Sequence, residues 1–147
     1  MDVAGVSRSG GLVRITARAA APSAACPGCG PESRRVRSRY ERRLPDTAIA
    51  GSEVAIILRV RRFPCLFPGC AKKTLAEQVS GLTSRHARRT PAVTALLEAV
   101  ALAPGGRAGA RLPGWLAAGV SRMTLPRLIR ALPDPGVSAS PRVPGVG

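Results

Sequence analysis

Four cysteines in two close pairs are the residues of this sequence whose types and spacing most clearly predict chemistry. The first pair bounds the segment Cys26-Pro27-Gly28-Cys29, and the second bounds Cys65-Leu66-Phe67-Pro68-Gly69-Cys70. Pro-Gly lies inside each segment, so each can turn tightly enough to direct both sulfurs at one centre. Two such pairs predict a tetrahedral Zn²⁺ site with four thiolate ligands, which are Cys26, Cys29, Cys65 and Cys70.

The spacing leaves three other uses of these thiols open: a redox CxxC motif, two disulfides, or inert buried thiols. A redox site normally needs one pair within a thioredoxin-like fold, which the surrounding pattern does not suggest. No secretory signal is predicted, because the N-terminus lacks a charged start followed by an apolar run. Thiols in a reducing cytoplasm favour metal ligation over disulfides.

The balance of charge indicates a polyanionic partner. The 147-residue chain carries 23 Lys and Arg residues against 8 Asp and Glu, which gives a formal net charge of +15. A GC-rich genome would raise arginine together with Ala, Gly and Pro, but it would not explain the scarcity of acids. A small basic module that zinc holds together is typical of nucleic-acid binding. No membrane contact is predicted, because no stretch approaches the ~18 apolar residues of a membrane span.

The pattern along the chain predicts an α+β protein in which a small antiparallel β zinc ribbon precedes a three-helix helix-turn-helix domain. Alternating apolar and polar residues predict strands at 12–18, 35–43 and 53–63, with a connection that begins at Leu44 and closes at Gly51. The predicted divisions are a disordered N-terminus at 1–10, a zinc-ribbon domain at 11–80, a helix-turn-helix DNA-binding domain at 81–133, and a linker or disordered tail at 134–147.

The second half of the sequence changes to a helical period. Thr90 is a predicted N-cap with Pro91 at the first helical position. A second helix is predicted at about 107–117, and a third begins after a Ser121 cap. Pro126 counts against an ideal third helix, because an interior proline costs about 3 kcal/mol. The third helix would turn Leu125, Leu128, Ile129 and Leu132 inward and place Arg122, Arg127 and Arg130 on the opposite face.

A helix, a short Gly-containing turn and a capped helix with an arginine face predict a helix-turn-helix that contacts DNA. The alternative is that these arginines are merely solvated. His86, the one histidine of the sequence, is interpreted as a solvated linker residue rather than a metal ligand or a catalytic base. The predicted DNA contacts are Ser121, Arg122, Thr124, Arg127 and Arg130 on the third helix, Arg107 and Arg111 on the second, and Arg61, Arg62, Lys72 and Lys73 beside the zinc site.

Several separate motifs resemble those of bacterial insertion-sequence transposases of the ISL-three family, from about residue 11 to the end. Members of that family have a zinc-binding N-terminal domain, a helix-turn-helix, and a long catalytic domain whose DDE carboxylates hold two divalent metals. The motifs are the CPGC segment, 58–65 (LRVRRFPC), 70–78 (CAKKTLAEQ), 106–112 (GRAGARL), 120–125 (VSRMTL) and 130–135 (RALPDP).

The resemblance implies the DNA-binding N-terminal portion of a transposase, which recognises the terminal inverted repeats of its transposon in the bacterial cytoplasm, at the nucleoid. Gly147 stands where the first catalytic Asp is expected, so the resemblance predicts a truncated chain that is not an enzyme. Pro113, Pro126 and Pro144 depart from the family pattern. The implied partner is double-stranded DNA of the transposon ends, with a homodimer or an association with a full-length transposase as further assemblies.

Three alternatives to this function stay open from the sequence. A fragment that occupies transposon ends without cutting them would be a regulator that inhibits transposition. A ribbon can also bind another protein, and a degenerate gene can encode a non-functional transposase remnant.

Overall fold

The fold is known from a computed structural model, which describes residues 1–102 and 123–133. The described residues form seven strands and two helices, and none of their helices is long and apolar enough to cross a membrane. The elements are β1 (Asp2–Ser9), β2 (Leu12–Arg18), β3 (Ala24–Ala25), β4 (Glu32–Ser33), β5 (Ser38–Ile49), β6 (Ser52–Pro64), β7 (Thr74–Ala76), α1 (Pro91–Leu102) and α2 (Thr124–Ala131). Outside the described residues lie the helix predicted at 107–117, the tail predicted at 134–147, and the predicted contact residues Arg107, Arg111, Ser121 and Arg122.

The main sheet is mixed, and the prediction of an antiparallel ribbon is therefore wrong in part. Its strand order is β1-β2-β6-β5, with β7 paired to the end of β6. β2 and β6 run parallel from Leu12 beside Glu53 to Arg18 beside Arg59, whereas the other pairs are antiparallel. The segment between β2 and β6 contains the first cysteine pair and β5. This connection is long enough for β6 to run in the same direction as β2.

Residues 1–10 were predicted to be disordered, but Asp2–Ser9 forms β1. This strand pairs with β2 along its length, from Asp2 beside Arg18 to Ser9 beside Leu12. The hairpin closes at Gly10 and Gly11, whose φ angles of 53° and 81° favour glycine. Every residue of β1 is exposed, so backbone pairing holds it without the apolar alternation that would have predicted it.

β5 is longer than the sequence indicates. The connection predicted to begin at Leu44 is part of the strand, because Leu44 is buried and pairs with Ile56. Pro45 is tolerated since β5 is an edge strand, where a missing N–H breaks no ladder bond. The strand ends at Ile49, and the turn into β6 passes through Ala50 and Gly51, both with positive φ.

β6 links two apolar cores. Its even-numbered residues pack with Ala17 and Leu44 on one face of the sheet, as their alternation predicts; they are Val54, Ile56, Leu58 and Val60. Further along, Phe63 is fully buried with Leu75 among the cysteines of the second core. The same strand therefore forms the centre of the sheet and positions the second cysteine pair.

Helix α1 begins as predicted. The Thr90 hydroxyl accepts a hydrogen bond from the Val93 N–H at 3.3 Å and donates one to the Asp46 carboxylate at 2.6 Å. This cap therefore also fastens the helix to β5. On its buried side α1 packs against α2, in a core of Val93, Leu97, Ala101 and Leu125 with Leu128 at its margin.

Helix α2 begins two residues later than a Ser121 cap requires. Met123 occupies the cap position, without a side-chain hydrogen bond, and Thr124 is the first helical residue. Pro126 therefore lies in the first turn, where backbone N–H groups have no helical partner and a proline costs little. Leu125 is buried as predicted, but Ile129 is exposed rather than inward. The second of the three predicted helices, at about 107–117, lies outside the described residues.

Candidate metal centre and nucleic-acid interface

The four cysteines converge at one point, although they come from separate parts of the chain. All four sulfur atoms lie within 4.8 Å of one another. Two close sulfur pairs join the two knuckles, the turns that hold Cys26–Cys29 and Cys65–Cys70. Cys26 Sγ lies 3.9 Å from Cys70 Sγ, and Cys29 Sγ lies 3.5 Å from Cys65 Sγ. No disulfide joins them.

Backbone hydrogen bonds fix the shape of each knuckle. In the first, Cys26 accepts from the Gly30 N–H at 2.8 Å, and Gly30 adopts a φ of 90°. In the second, the Cys70 N–H donates to the Phe67 carbonyl at 3.1 Å. The Cys65 N–H donates to the Lys73 carbonyl at 3.1 Å, which holds the strand after the knuckle beside the one before it.

The sulfur positions fit a tetrahedral zinc ion. A Zn–S bond of about 2.3 Å in a tetrahedron separates sulfur atoms by about 3.8 Å. The observed pairs at 3.5 and 3.9 Å bracket that value. Two of the cysteines are buried and two are half-buried, which suits a closed structural site more than a catalytic one with an open position.

The thiols are not electrostatically equivalent. A hydrogen bond from the backbone N–H of Gly28 lowers the pKa of Cys26 to about 6, which favours the thiolate that zinc needs. Burial and the neighbouring Cys65 thiol raise the pKa of Cys29. For Cys65, the Phe67 N–H favours the thiolate, but burial and the Cys26 and Cys70 thiols outweigh it and raise the pKa. A bound cation would favour all four thiolates.

A groove of about 760 Å³ lies beside the metal centre. Its lining includes Tyr40 of β5, the strand Thr74–Ala76 and Pro27 of the first knuckle. None of the described residues that line it is Asp or Glu. Its cationic side chains come from β5, β6 and two loops, and they are Arg42, Arg62, Lys72, Lys73 and Arg85. Such a surface attracts phosphate groups.

Three of the four residues predicted to contact phosphate beside the zinc site line this groove. Arg62 stacks its guanidinium over the Tyr40 ring, 4.6 Å from the centroid. Lys72 passes close to Gly28, where an added Cβ would lie 3.2 Å from Lys72 Cδ. Lys73 is exposed, one residue further along the chain. The two knuckles and β6 therefore bring these cations together.

Arg61, the fourth, has a different role. Strand alternation directs it away from Arg62, toward the buried carboxylate of Glu77. Its Nη2 lies 2.6 Å and its Nε 3.0 Å from Glu77 Oε2, and its backbone N–H donates to Oε1 at 2.7 Å. The ion pair raises the pKa of Arg61, and the same guanidinium also donates to the Ala21 carbonyl. Because Glu77 already neutralises its charge, Arg61 is less available to phosphate than Arg62, and its contact with DNA stays a prediction.

The structure also places the predicted contacts of the helical part. Arg127 and Arg130 are exposed on α2, and Thr124 is half-buried at its start. The helix packs through Leu125 against α1, so its arginines lie on the outer side. They are separate from the groove, because none of them lines it.

Sequence reasoning missed Arg42, Tyr40 and Arg85 as groove residues. Arg42 donates to the Ala87 carbonyl, which holds the segment after Arg85 against β5. His86 was predicted to be a solvated linker residue; it is exposed, has a φ of 62°, and lines the groove. The basic run 85–89 was the available signal, but the sequence does not show that it folds beside the zinc knuckles.

The comparison with protein families agrees with the geometry of the metal centre. Residues 22–67 match the family described as the zinc-finger of transposase IS204/IS1001/IS1096/IS1165. The matched segment includes Cys26, Cys29 and Cys65 and ends before Cys70, whose sulfur completes the cluster. No curated protein and no solved structure matches the chain. Residues 22–67 thus match the zinc ribbon of insertion-sequence transposases of the ISL-three family, and the cofactor of this ribbon is Zn²⁺.

Proposed function

We propose that this chain is the DNA-binding N-terminal part of a transposase and that its groove binds the phosphate backbone of transposon ends. The observation that carries the proposal is the groove itself, in which five cationic side chains and no described acid surround a surface beside the zinc ribbon. The similarity of residues 22–67 to the zinc finger of transposases indicates the class of partner, which is DNA.

Zinc has a structural role in this proposal. The four thiolates hold the two knuckles together, and Lys72 leaves the second knuckle two residues after Cys70. The Lys72 N–H donates to Cys70 Sγ at 3.4 Å, so the position of this lysine depends on the metal centre. The ribbon residues bind DNA in this account and take no part in strand cutting.

Phosphate contacts position a protein on DNA, whereas contacts with base edges select the sequence. We assign the groove to the first role and the outer face of α2, with Thr124, Arg127 and Arg130, to the second. The selected sequence would be the terminal inverted repeat of the transposon. This division is supported by the separation of the two basic surfaces and by the exposure of both arginines on α2.

The test is a fluorescence-anisotropy titration of the zinc-loaded chain with a terminal-repeat duplex and a scrambled duplex of the same composition. We expect preference for the repeat by about tenfold or more, which is modest beside the usual range for specific DNA binding. Lys72→Gln with Lys73→Gln should weaken binding to both duplexes. The matched control removes two arginines outside the groove, Arg8→Gln with Arg14→Gln. Equal losses from the two double variants would contradict a localised interface.

A further inference from the structure

The tip of the second knuckle exposes apolar side chains that the zinc site does not require. Leu66 is 65% exposed and Phe67 is 53% exposed, although both lie between ligating cysteines. The chain has only four aromatic residues, so an exposed one is unusual. We propose that Phe67 stacks on an unpaired base of DNA whose adjoining duplex lies in the groove. This inference rests on the proposed function and extends it to the form of DNA recognised.

Phe67 differs from the other described aromatic residues in having an open ring face. Phe63 is fully buried beneath the metal centre. Tyr40 is covered by the Arg62 guanidinium. One side of the Phe67 ring packs on Gly69, where an added Cβ would lie 3.2 Å from Phe67 Cε1. A ring supported on one side and exposed overall can accept a base, because every base offers a flat face for stacking.

The ring is also held in place before it binds. The Phe67 carbonyl accepts the Cys70 N–H at 3.1 Å, which closes the turn between the two ligands. Zinc would fix both ends of this turn. A preformed platform loses little conformational freedom when a ligand stacks on it, so more of the contact energy contributes to affinity.

The surrounding charge selects a nucleic acid as the occupant rather than an apolar protein surface. The Cys65 N–H binds the Lys73 carbonyl, and the Lys72 N–H binds Cys70 Sγ. Both lysines are therefore hydrogen-bonded to the knuckle that carries Phe67, and both line the groove. A duplex bound along the groove would bring an unpaired base, at its end or at a distorted base-pair step, to the tip of the second knuckle. Phe67 does not itself line the groove, but it lies five residues before Lys72 in the sequence. Aromatic side chains combined with a basic groove are the arrangement used to bind single-stranded nucleic acid.

The experiment compares a blunt duplex with the same duplex carrying a short single-stranded tail, in each polarity, by anisotropy with the zinc-loaded chain. We expect the tail to improve affinity by about fivefold or more. Phe67→Ala should abolish the improvement and leave blunt-duplex affinity unchanged. Phe67→Leu should behave like Phe67→Ala, because it keeps apolar volume without a π-face, whereas Phe67→Trp should retain the preference. Ile49→Ala is the matched control, since Ile49 is 54% exposed at the opposite end of β6 from the knuckle.

Zinc content and thermal stability of each variant show that it is folded. A tail preference that survives in Phe67→Ala would overturn the proposal. Equal affinity of the wild-type chain for the blunt and the tailed duplex would also overturn it. In that case, a loss of self-association in Phe67→Ala would assign the tip to a protein partner. Absence of binding to the blunt duplex by every folded chain would instead refute the proposed function.

Discussion

Two neighbouring arginines on opposite faces of β6 should have separable effects. Arg61→Ala leaves the Glu77 carboxylate, only 4% exposed, without its partner. Removing one member of a buried pair costs about 3–5 kcal/mol. The Arg61 side chain is 21% exposed, so water reaches the pair, and the Arg61 N–H can still bind Glu77. We therefore expect a loss of about 2–3 kcal/mol in the free energy of unfolding.

Arg62→Ala should have the opposite profile. Arg62 is exposed and stacks on the Tyr40 ring. At an exposed site such a stack contributes about 0.5–1 kcal/mol to stability. Its guanidinium is free to bind phosphate, so this substitution should weaken duplex binding with little loss of stability.

Urea unfolding of zinc-loaded chains measures the first quantity and anisotropy titration measures the second. Adding Glu77→Leu to Arg61→Ala should recover part of the lost stability, because it removes the unpaired buried charge. Equal unfolding free energies for the two single variants would refute this reasoning. A loss of DNA affinity in folded Arg61→Ala as large as that in Arg62→Ala would refute it equally.

Three further outcomes follow from the metal centre and the helical core. A chelator should unfold the ribbon, and Cys26→Ser should unfold it without chelator, because metal binding and folding are linked. Circular dichroism measures the unfolding and a zinc-release dye measures the loss of metal. Stability that does not change with chelator would contradict this prediction. Thr90→Val should lower the free energy of unfolding by about 1–2 kcal/mol, because it removes the α1 cap and the partner of Asp46. An unchanged urea midpoint would contradict this prediction. Leu97→Ala should lower the free energy of unfolding by about 2–5 kcal/mol, because Leu97 is fully buried between α1 and α2. Leu102→Ala is its control, because Leu102 is exposed.

The metal centre was predictable because its information is local. Ligand type, ligand spacing and the Pro-Gly turns all lie within two short segments, and the structure brings the four sulfurs within 4.8 Å of one another. The β6 strand was equally clear, since alternate residues from Val54 to Val60 are apolar and all of them are buried on one face. The Thr90 cap of α1 was predicted correctly for the same reason.

The pairing of strands was not predictable from the same patterns. A period of two residues shows which face is buried but not which strand lies beside it, so the parallel alignment of β2 with β6 left no signal. β1 is held by backbone bonds and one exposed ion pair between Asp2 and Arg18, and it has no buried side chain. The different roles of Arg61 and Arg62 depend on Glu77, which lies sixteen residues after Arg61 and pairs with it. Only the return of the chain through β7 places Glu77 beside β6.

The groove was partly predictable. Arg62, Lys72 and Lys73 follow from their position beside the cysteines, but Arg42 and Arg85 enter through tertiary contacts. Arg42 looks like any other arginine of an alternating strand. Its contact with the Ala87 carbonyl joins β5 to the basic segment, and this contact spans 45 residues of sequence.

The central claim is that the groove beside the zinc ribbon neutralises DNA phosphates, and the salt dependence of duplex binding tests it most directly. Each phosphate contact contributes about −0.9 to the slope of log affinity against log salt concentration, so the five groove cations predict a slope of up to about −4.5. Lys72→Gln with Lys73→Gln should make the slope shallower by about 1.8, whereas Arg8→Gln with Arg14→Gln should leave it nearly unchanged. A folded, zinc-loaded groove variant with the wild-type slope would contradict the account.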